Sequence, residues 1–342
     1  MKNLEKIKEW HDSNANIFNN LIIKSKLIIE EAINEKGITV NSITGRVKEK
    51  ESYCKKAFKE KYKNPIEEIK DMAGIRVIAY VNSDVDKICE IIENEFDIDR
   101  NNSVDKGKLL GIDKVGYKSV HYIVKLGENR TALTEYSKFK DIFFEIQVRT
   151  LLQHAWSEIE HDRNYKFSGE LPKDIKREFA LLSGTLELVD MHFENISKKI
   201  DEYSEEVIEK LEDNNLNSVL IDSTSLSQYL NKVFEEDIEK GIVEEIIYND
   251  TIHNLFEFNV KTIEDLSELL KEKFRFPKNC VVSFNNILNT YMIKKDSDKY
   301  FKSNAFKILD SIEVEIYREN GIDIDNIIDK YNIISFDFDE LL

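Results

Sequence analysis

The sequence predicts an α/β (α+β) chain, with a mixed sheet flanked by helices and a second α+β region at the C-terminal end. Three observations point there. Segments of helical period and segments of strand period alternate from residue 4 to Arg149, the pattern of strands packed with helices. The run Phe143-Phe144-Glu145-Ile146-Gln147-Val148-Arg149-Thr150 alternates strictly. Phe144, Ile146 and Val148 fall on one face; Glu145, Gln147 and Arg149 fall on the other. Finally, the polar stretch Asp213-Asn214-Asn215-Leu216-Asn217 interrupts the pattern and divides the chain.

The elements follow in order. Residues 4–34 read as a helix, with Ile17, Leu21, Ile28, Ile29 and Ala32 at helical spacing, ended by Gly37. A short strand at 38–44 meets an expected turn at Gly45. The next stretch passes into a helix that Asn64-Pro65 breaks. Between Arg46 and Lys63 lie eight bases and three acids, the most basic stretch of the chain. Lys48, Ser52, Lys55, Lys56 and Lys59 recur three or four apart, a spacing suited to holding a polyanion. Residues 75–81 form a clear strand, approached by Asp71 and containing Arg76; a helix at 84–96 packs on the sheet. Residues 97–116 read as a long loop, and 116–124 as a strand with Tyr117, Ser119 and His121 on one face. Residues 127–138 connect back to the 143–150 strand. Thr150 is placed to cap the helix that follows it. Pro172 opens a helix of about 40 residues, the expected reach of its 3.6-residue pattern. Beyond residue 217, helices at 226–240, 262–274 and 304–319 mix with short strands such as 280–284. The organisation is therefore an N-terminal helix (1–34), a central domain (35–170), a long helix (171–213) and an acidic C-terminal domain (218–342).

Composition narrows the classes. The chain has 342 residues and 41% hydrophobic content, enough for two packed domains. Lys+Arg 49 against Asp+Glu 66 gives a net charge of -17, which argues against a general nucleic-acid coat protein. From Ile221 onward there are 25 acids and 14 bases, so most of the excess negative charge lies in the C-terminal region. Cys54, Cys89 and Cys280 are too few and too scattered for a disulfide framework or a zinc site. The first ten residues lack an apolar signal core, and no run approaches the ~18 apolar residues of a membrane span. A cytoplasmic protein without a membrane partner is expected. His253 is isolated and reads as structural.

The polar residues of the sheet and its edges form a constellation: Asp71, Arg76, Tyr117, Ser119, His121, Glu145, Gln147 and Arg149, with the basic stretch at 46–59. Two carboxylates among many cations suit magnesium-dependent phosphoryl-type transfer, because carboxylate oxygens hold a hard cation while the bases hold phosphates. Five motifs occur in order: Arg46-x-Lys48-x-x-x-Ser52, Asp71-x-x-Gly74-x-Arg76, Gly116-Tyr117-x-Ser119-x-His121, Glu145-x-Gln147-x-Arg149-Thr150, and His154-Ala155-Trp156-x-Glu158-x-Glu160-His161. Each is weak alone. Together they resemble the synthetase domain of the RelA/SpoT family of alarmone synthetases, over roughly residues 35–170.

The resemblance implies a nucleotidyltransferase-like fold. It implies a GTP/GDP pyrophosphokinase that moves the β,γ-pyrophosphate of ATP to the ribose 3′-OH of GDP or GTP and releases AMP, making (p)ppGpp. It implies that Asp71 and Glu145 hold Mg²⁺, with Glu145 or Gln147 acting on the 3′-OH. Arg46 and Arg76 would bracket the adenine, and Lys48, Ser52, Lys56 and Lys59 would grip the ATP phosphates. Tyr117 would stack on the acceptor guanine; Ser119, His121, Arg149 and His154 would line the acceptor side. Long family members carry a hydrolase domain with a His-Asp metal site. Here His11-Asp12 stands alone, with no other histidine before His121, so a small synthetase without hydrolase activity is expected. The loop before Tyr117 lacks the charged signature associated with acceptor preference in long members, which leaves GDP against GTP open. A toxin-type relative that pyrophosphorylates the 3′ end of tRNA, neutralised by its acidic C-terminal domain, is the alternative. The sequence is silent on oligomeric state, a homo-oligomer included.

Overall fold

The first helix, α1 (Leu4–Glu35), turns a continuous apolar stripe toward the sheet: Phe18, Leu21, Ile22, Ile28, Ile29 and Ile33 are all buried. The computed structural model describes residues 4–110, 118–166, 172–278, 280–303 and 308–336. After α1 come β1 (Val40–Val47), α2 (Lys50–Ala57), α3 (Pro65–Glu68), β2 (Ala73–Ala79) and α4 (Asn82–Glu95). Then follow β3 (Phe96–Ile98), β4 (Val104–Asp105), α5 (Lys106–Leu110), β5 (Val120–Leu126), α6 (Glu128–Thr131), β6 (Phe144–Thr150), α7 (Leu151–Lys166) and the 40-residue α8 (Lys173–Glu212). The fold is α+β, a mixed sheet flanked by helices. The stretch expected as a loop at 97–116 instead contains β3, β4 and α5. Two of these are sheet-edge pairings with β5, a non-local gain that the polar local sequence does not show.

The sheet runs in the order β1-β2-β6-β5-β3, with β4 also on β5. Among the described residues of this sheet, β2 and β6 pair in parallel, whereas β1 with β2, β5 with β6, and β3 and β4 with β5 are antiparallel. Strand alternation sorts the faces. Ile75 and Val77 of β2, with Phe144, Ile146 and Val148 of β6, point into the core that α1 and α4 cover. Gly74, Arg76, Glu145 and Gln147 point the other way.

The turn expected at Gly45 is absent: β1 continues through it to Val47. The cause is α1. A Cβ at Gly45 would stand 2.3 Å from Ile22 Cγ2, so glycine here serves close approach of strand to helix rather than chain reversal.

Thr150 closes β6 and starts α7. Its hydroxyl accepts from the Gln153 backbone N–H (3.2 Å), and the Gln153 side chain accepts from the Thr150 N–H (3.1 Å). This reciprocal cap satisfies two donors at the helix start.

Compactness divides the chain into Met1–Lys198 and Lys199–Leu342, inside α8 rather than at the 213–217 loop. The buried residues of α8 explain this. Ser183 and Asp190 face the first unit's elements, whereas Val207 and Leu211 belong to the second unit's core. That unit contains α9 (Ser223–Val233), α10 (Glu235–Glu239), β7 (Val243–Glu244), α11 (Thr251–Glu257), α12 (Ile263–Leu269), β8 (Val282–Ser283), α13 (Phe284–Lys295), α14 (Ser297–Ser303), β9 (Ile308–Asp310), α15 (Ser311–Glu319), α16 (Ile324–Tyr331) and β10 (Ile334–Phe336). α13 is buried on nearly every side, the polar Asn285, Asn289 and Thr290 included, and Phe284, Ile287, Leu288 and Met292 are fully buried. Capping boxes at Asp222, Thr262, Ser283 and Asp310 set the starts of α9, α12, α13 and α15. The expected 226–240 helix breaks at Phe234 into α9 and α10, the expected 262–274 helix ends at Leu269, and the Asp310 box starts the third of them at Ser311. Residues 304–307 lie outside the described residues.

Gly45→Ala is expected to lower stability by about 1–3 kcal/mol through overpacking against Ile22. Urea denaturation measures it; an unchanged midpoint would mean that α1 withdraws freely from β1.

Candidate active site

The parallel register of β2 and β6 sets the floor. Gly74 lies opposite Glu145 and Arg76 opposite Gln147. β1 extends these rows by placing Arg46 beside Gly74, and β5 extends them by placing His121 beside Gln147. Cross-strand neighbours share a face, so Arg46, Arg76, Glu145, Gln147 and His121 gather on the polar side of the sheet. A Cβ at Gly74 would meet nothing within 4 Å, which leaves an open space in the floor between Arg46 and Glu145.

Asp71 enters from the approach to β2. Its Oδ2 accepts from Lys48 Nζ (2.9 Å) and Lys56 Nζ (2.6 Å). Its Oδ1 is buried and has no hydrogen-bond partner. Burial alone would raise the Asp71 pKa, but the two ammonium groups outweigh it and hold the carboxyl below the usual carboxylate range. Burial likewise opposes the charge on Lys56, and its hydrogen bond to Asp71 overcomes that and raises its pKa.

Glu145 is held differently. His121 Nδ1 lies 2.8 Å from Oε1, and Gln147 Nε2 donates to Oε2 at 2.8 Å. Burial pushes the Glu145 carboxyl up; the His121 bond and charge, aided by Gln147, carry it below its ordinary value. The Asp71 charge acts on Glu145 in the opposite sense, so the two carboxylates are near enough to feel each other. An ionised Glu145 is acceptor-only, which puts the proton of this pair on His121 Nδ1.

A second cluster forms where α7 leans over the sheet. Glu158 Oε1 lies 3.0 Å from Arg76 Nη1 and 3.6 Å from Arg149 Nη2. Arg149 is 1% exposed, and its Nη2 donates to His154 Nδ1 at 2.6 Å. A guanidinium only donates, so His154 Nδ1 must accept, which requires the tautomer protonated at Nε2. Burial and then the Arg149 charge depress the His154 pKa, against the pull of Glu158.

The expected site residues therefore fall into several places. Asp71, Lys48 and Lys56 form one group, and Glu145, Gln147 and His121 a second. Arg76, Arg149 and His154 are joined by Glu158, a residue sequence reasoning left out of the site although it stands four residues from His154 on the same helix. Ser52 and Lys59 are exposed on or just after α2, and Arg46 is exposed on β1. Ser119 is buried, and its hydroxyl donates to the Val148 carbonyl (3.3 Å), tying β5 to β6. Tyr117 lies outside the described residues. α8 completes the surroundings. Asp190 accepts from Thr150 Oγ1 (2.8 Å), Glu187 pairs with Lys118 (2.5 Å), and the Phe179 carbonyl accepts from Trp156 Nε1 (3.2 Å).

Among the described residues, no three His, Cys, Asp or Glu side chains gather as a metal cage. Magnesium does not require one, being commonly held by one or two carboxylates with substrate phosphates. Asp71 and Glu145, hard oxygen donors with one buried oxygen unpartnered, fit that demand.

Residues 45–170 match the family model described as the region found in RelA / SpoT proteins. The chain carries a RelA/SpoT domain. The chain is 29% identical over 167 residues to the GTP pyrophosphokinase YjbM of Bacillus subtilis, covering 48% of the chain and 74% of that protein. It is 29% identical over 136 residues to YwaC of the same organism, covering 40% of the chain and 61% of that protein. Among solved structures, small alarmone synthetase 1 from Bacillus subtilis is similar at 25% identity and a TM-score of 0.48, over 57% of this chain and 98% of that one. Among the described residues, no helix is long and apolar enough to cross a membrane.

A histidine whose folded pKa is depressed favours folding fully above its unfolded value near 6.5, and that contribution is lost as pH falls through this value. Shifting from pH 7.5 to 5.5 should therefore destabilise the wild type more than His154→Asn. Denaturant midpoints at the two pH values measure this; equal losses would remove His154 as the titrating group.

Proposed function

We propose that this chain is a Mg²⁺-dependent pyrophosphokinase. In this reading it transfers the β,γ-pyrophosphate of ATP to the 3′-OH of GDP or GTP, making (p)ppGpp and releasing AMP. The observation that carries the reading is Asp71: a half-buried carboxylate with two lysines on one oxygen and none on its other, buried oxygen, beside a second ionised carboxylate, Glu145. Phosphates and a hard cation are the partners that such an arrangement is short of. The GTP pyrophosphokinase relatives support the same chemistry.

Asp71 and Glu145 would hold the cation, which when bound supplies neutralisation of charge on the phosphates. Lys48 and Lys56, now on Asp71 Oδ2, stand where they would turn to the ATP phosphates, with Ser52 and Lys59 on the same side. Arg46 and Arg76 flank the open floor at Gly74, and a guanidinium plane stacks well on a purine. Glu158 orients Arg76 until a base arrives. The acceptor oxygen would attack the β-phosphorus, the bond to the α,β-bridging oxygen would break, and AMP would leave with that oxygen. Glu145, ionised and steadied by His121 and Gln147, would take the 3′-OH proton. Tyr117, Arg149 and His154 would line the acceptor. The oriented cations supply much of the barrier reduction, since the attacked phosphorus is ringed by oxyanions.

In this reading residues 199–342 form a separate regulatory or neutralising unit of a cytoplasmic protein. Asp71→Asn and Glu145→Gln should each reduce AMP release by at least about a hundredfold, with melting temperature little changed. Retained activity in either would remove that carboxylate from the site. Radiolabelled ATP offered with GDP, GTP or deacylated tRNA separately should label the guanine nucleotides. Label on tRNA alone would replace this reading with the toxin-type one.

A further inference from the structure

We propose that His11 is a positioning residue that sets the phosphate-gripping Lys48 through its main-chain carbonyl. The catalytic meaning of this rests on reading Lys48 as part of the ATP site. His11 is 7% exposed and lies on α1, 37 residues away in sequence. Its Nε2 stands 2.8 Å from the Lys48 carbonyl oxygen. A carbonyl only accepts, so Nε2 carries the hydrogen and donates it. Nδ1 is 3.7 Å from Asp12 Oδ1, beyond hydrogen-bond reach.

Lys48 needs an external tether. It falls between the end of β1 and the start of α2, in neither ladder nor helix. Its neighbour Glu49 is the α2 N-cap and makes no side-chain capping bond. The Lys48 N–H donates to the Met72 carbonyl at 2.8 Å. With His11 on its carbonyl, both main-chain polar groups of Lys48 are fixed. The residue before Met72 is Asp71, so the same bond holds Lys48 and its carboxylate partner in register. The ammonium is thereby delivered to Asp71 Oδ2 at 2.9 Å. Lys56, on α2, is placed by its helix and does not need this tether.

Two neighbours of His11 act alongside it. Asp12 Oδ1 lies 2.6 Å from Lys50 Nζ, and Trp10 stacks on the buried Tyr53 at 5.4 Å between centroids. Three consecutive residues of α1 thus hold residues 48, 50 and 53. The exposed ion pair contributes little to stability, whereas a buried hydrogen bond that orients a peptide is directional.

The test compares His11→Leu, which fills the space without a donor, with His11→Gln, whose Nε2–H retains one. His11→Met serves if His11→Leu melts below the assay temperature. The first measurement is the rate of Lys48 acylation by acetic anhydride in the full-length protein, read by mass spectrometry with Lys56 as internal reference. The apolar variant should raise the Lys48 rate at least threefold, with Lys56 within twofold of wild type and His11→Gln close to wild type. The second is steady-state kinetics: the apolar variant should raise KM for ATP about tenfold with kcat and acceptor KM within twofold, and His11→Gln should restore it. An unchanged Lys48 rate, or equal changes at Lys48 and Lys56, would overturn the positioning role. If Lys48 responds as expected while the wild type does not use ATP, the positioning stands and the proposed function fails. If the wild type uses ATP and KM does not move, His11 does not position the donor site.

Discussion

The parallel pairing of β2 with β6 is the constraint on which the rest of this unit depends. It sets Gly74 against Glu145 and Arg76 against Gln147, and the antiparallel strands on either side extend those rows to Arg46 and His121. A slip of one residue would send Glu145 and Gln147 into the core and bring Ile146 out. The buried face of α1 and α4 forbids that slip, because Phe144, Ile146 and Val148 have nowhere else to go. The hydrophobic core therefore fixes the polar site, and each functional group is placed by an apolar neighbour one residue away.

The same sheet resolves a tension in the composition. A chain of net charge -17 presents a local cluster of cations, and it does so with few bare charges. Lys48 and Lys56 share Asp71; Arg76 and Arg149 share Glu158. Buried charges are tolerable when paired and hydrogen-bonded, and the two lysines keep Asp71 ionised. It also readies the site for an anion, since a polyphosphate offers the lysines what the carboxylate now offers.

The long helix α8 is held by different means along its length. Its first half is tied down through Trp156, Asp190 and Glu187, while Val207 and Leu211 belong to the acidic unit that follows. Burial raises the Asp190 carboxyl above its ordinary value even though Thr150 and Gln153 donate to it. An acid raised in this way favours folding more as the pH falls, the opposite sense to His154.

The sequence by itself determined the main elements and the motif residues. The 3.6-residue stripe of α1, the two-residue alternation of β6 and the 40-residue α8 are local periodicities, and local periodicity is legible without a structure. The order of the five motifs was sufficient to indicate the RelA/SpoT region. Tertiary structure alone decided what depends on contact between distant segments. Gly45 is a strand residue because Ile22 packs on it, and Ser119 ties the end of one strand to the next because the Val148 carbonyl lies within reach of its hydroxyl. Glu158 enters the site because α7 folds back over β2, and His11 reaches Lys48 across 37 residues. A hydrogen bond between remote residues leaves no periodic trace in either segment, so neither the clamp on Lys48 nor the sharing of Asp71 by two lysines was visible until the chain was folded.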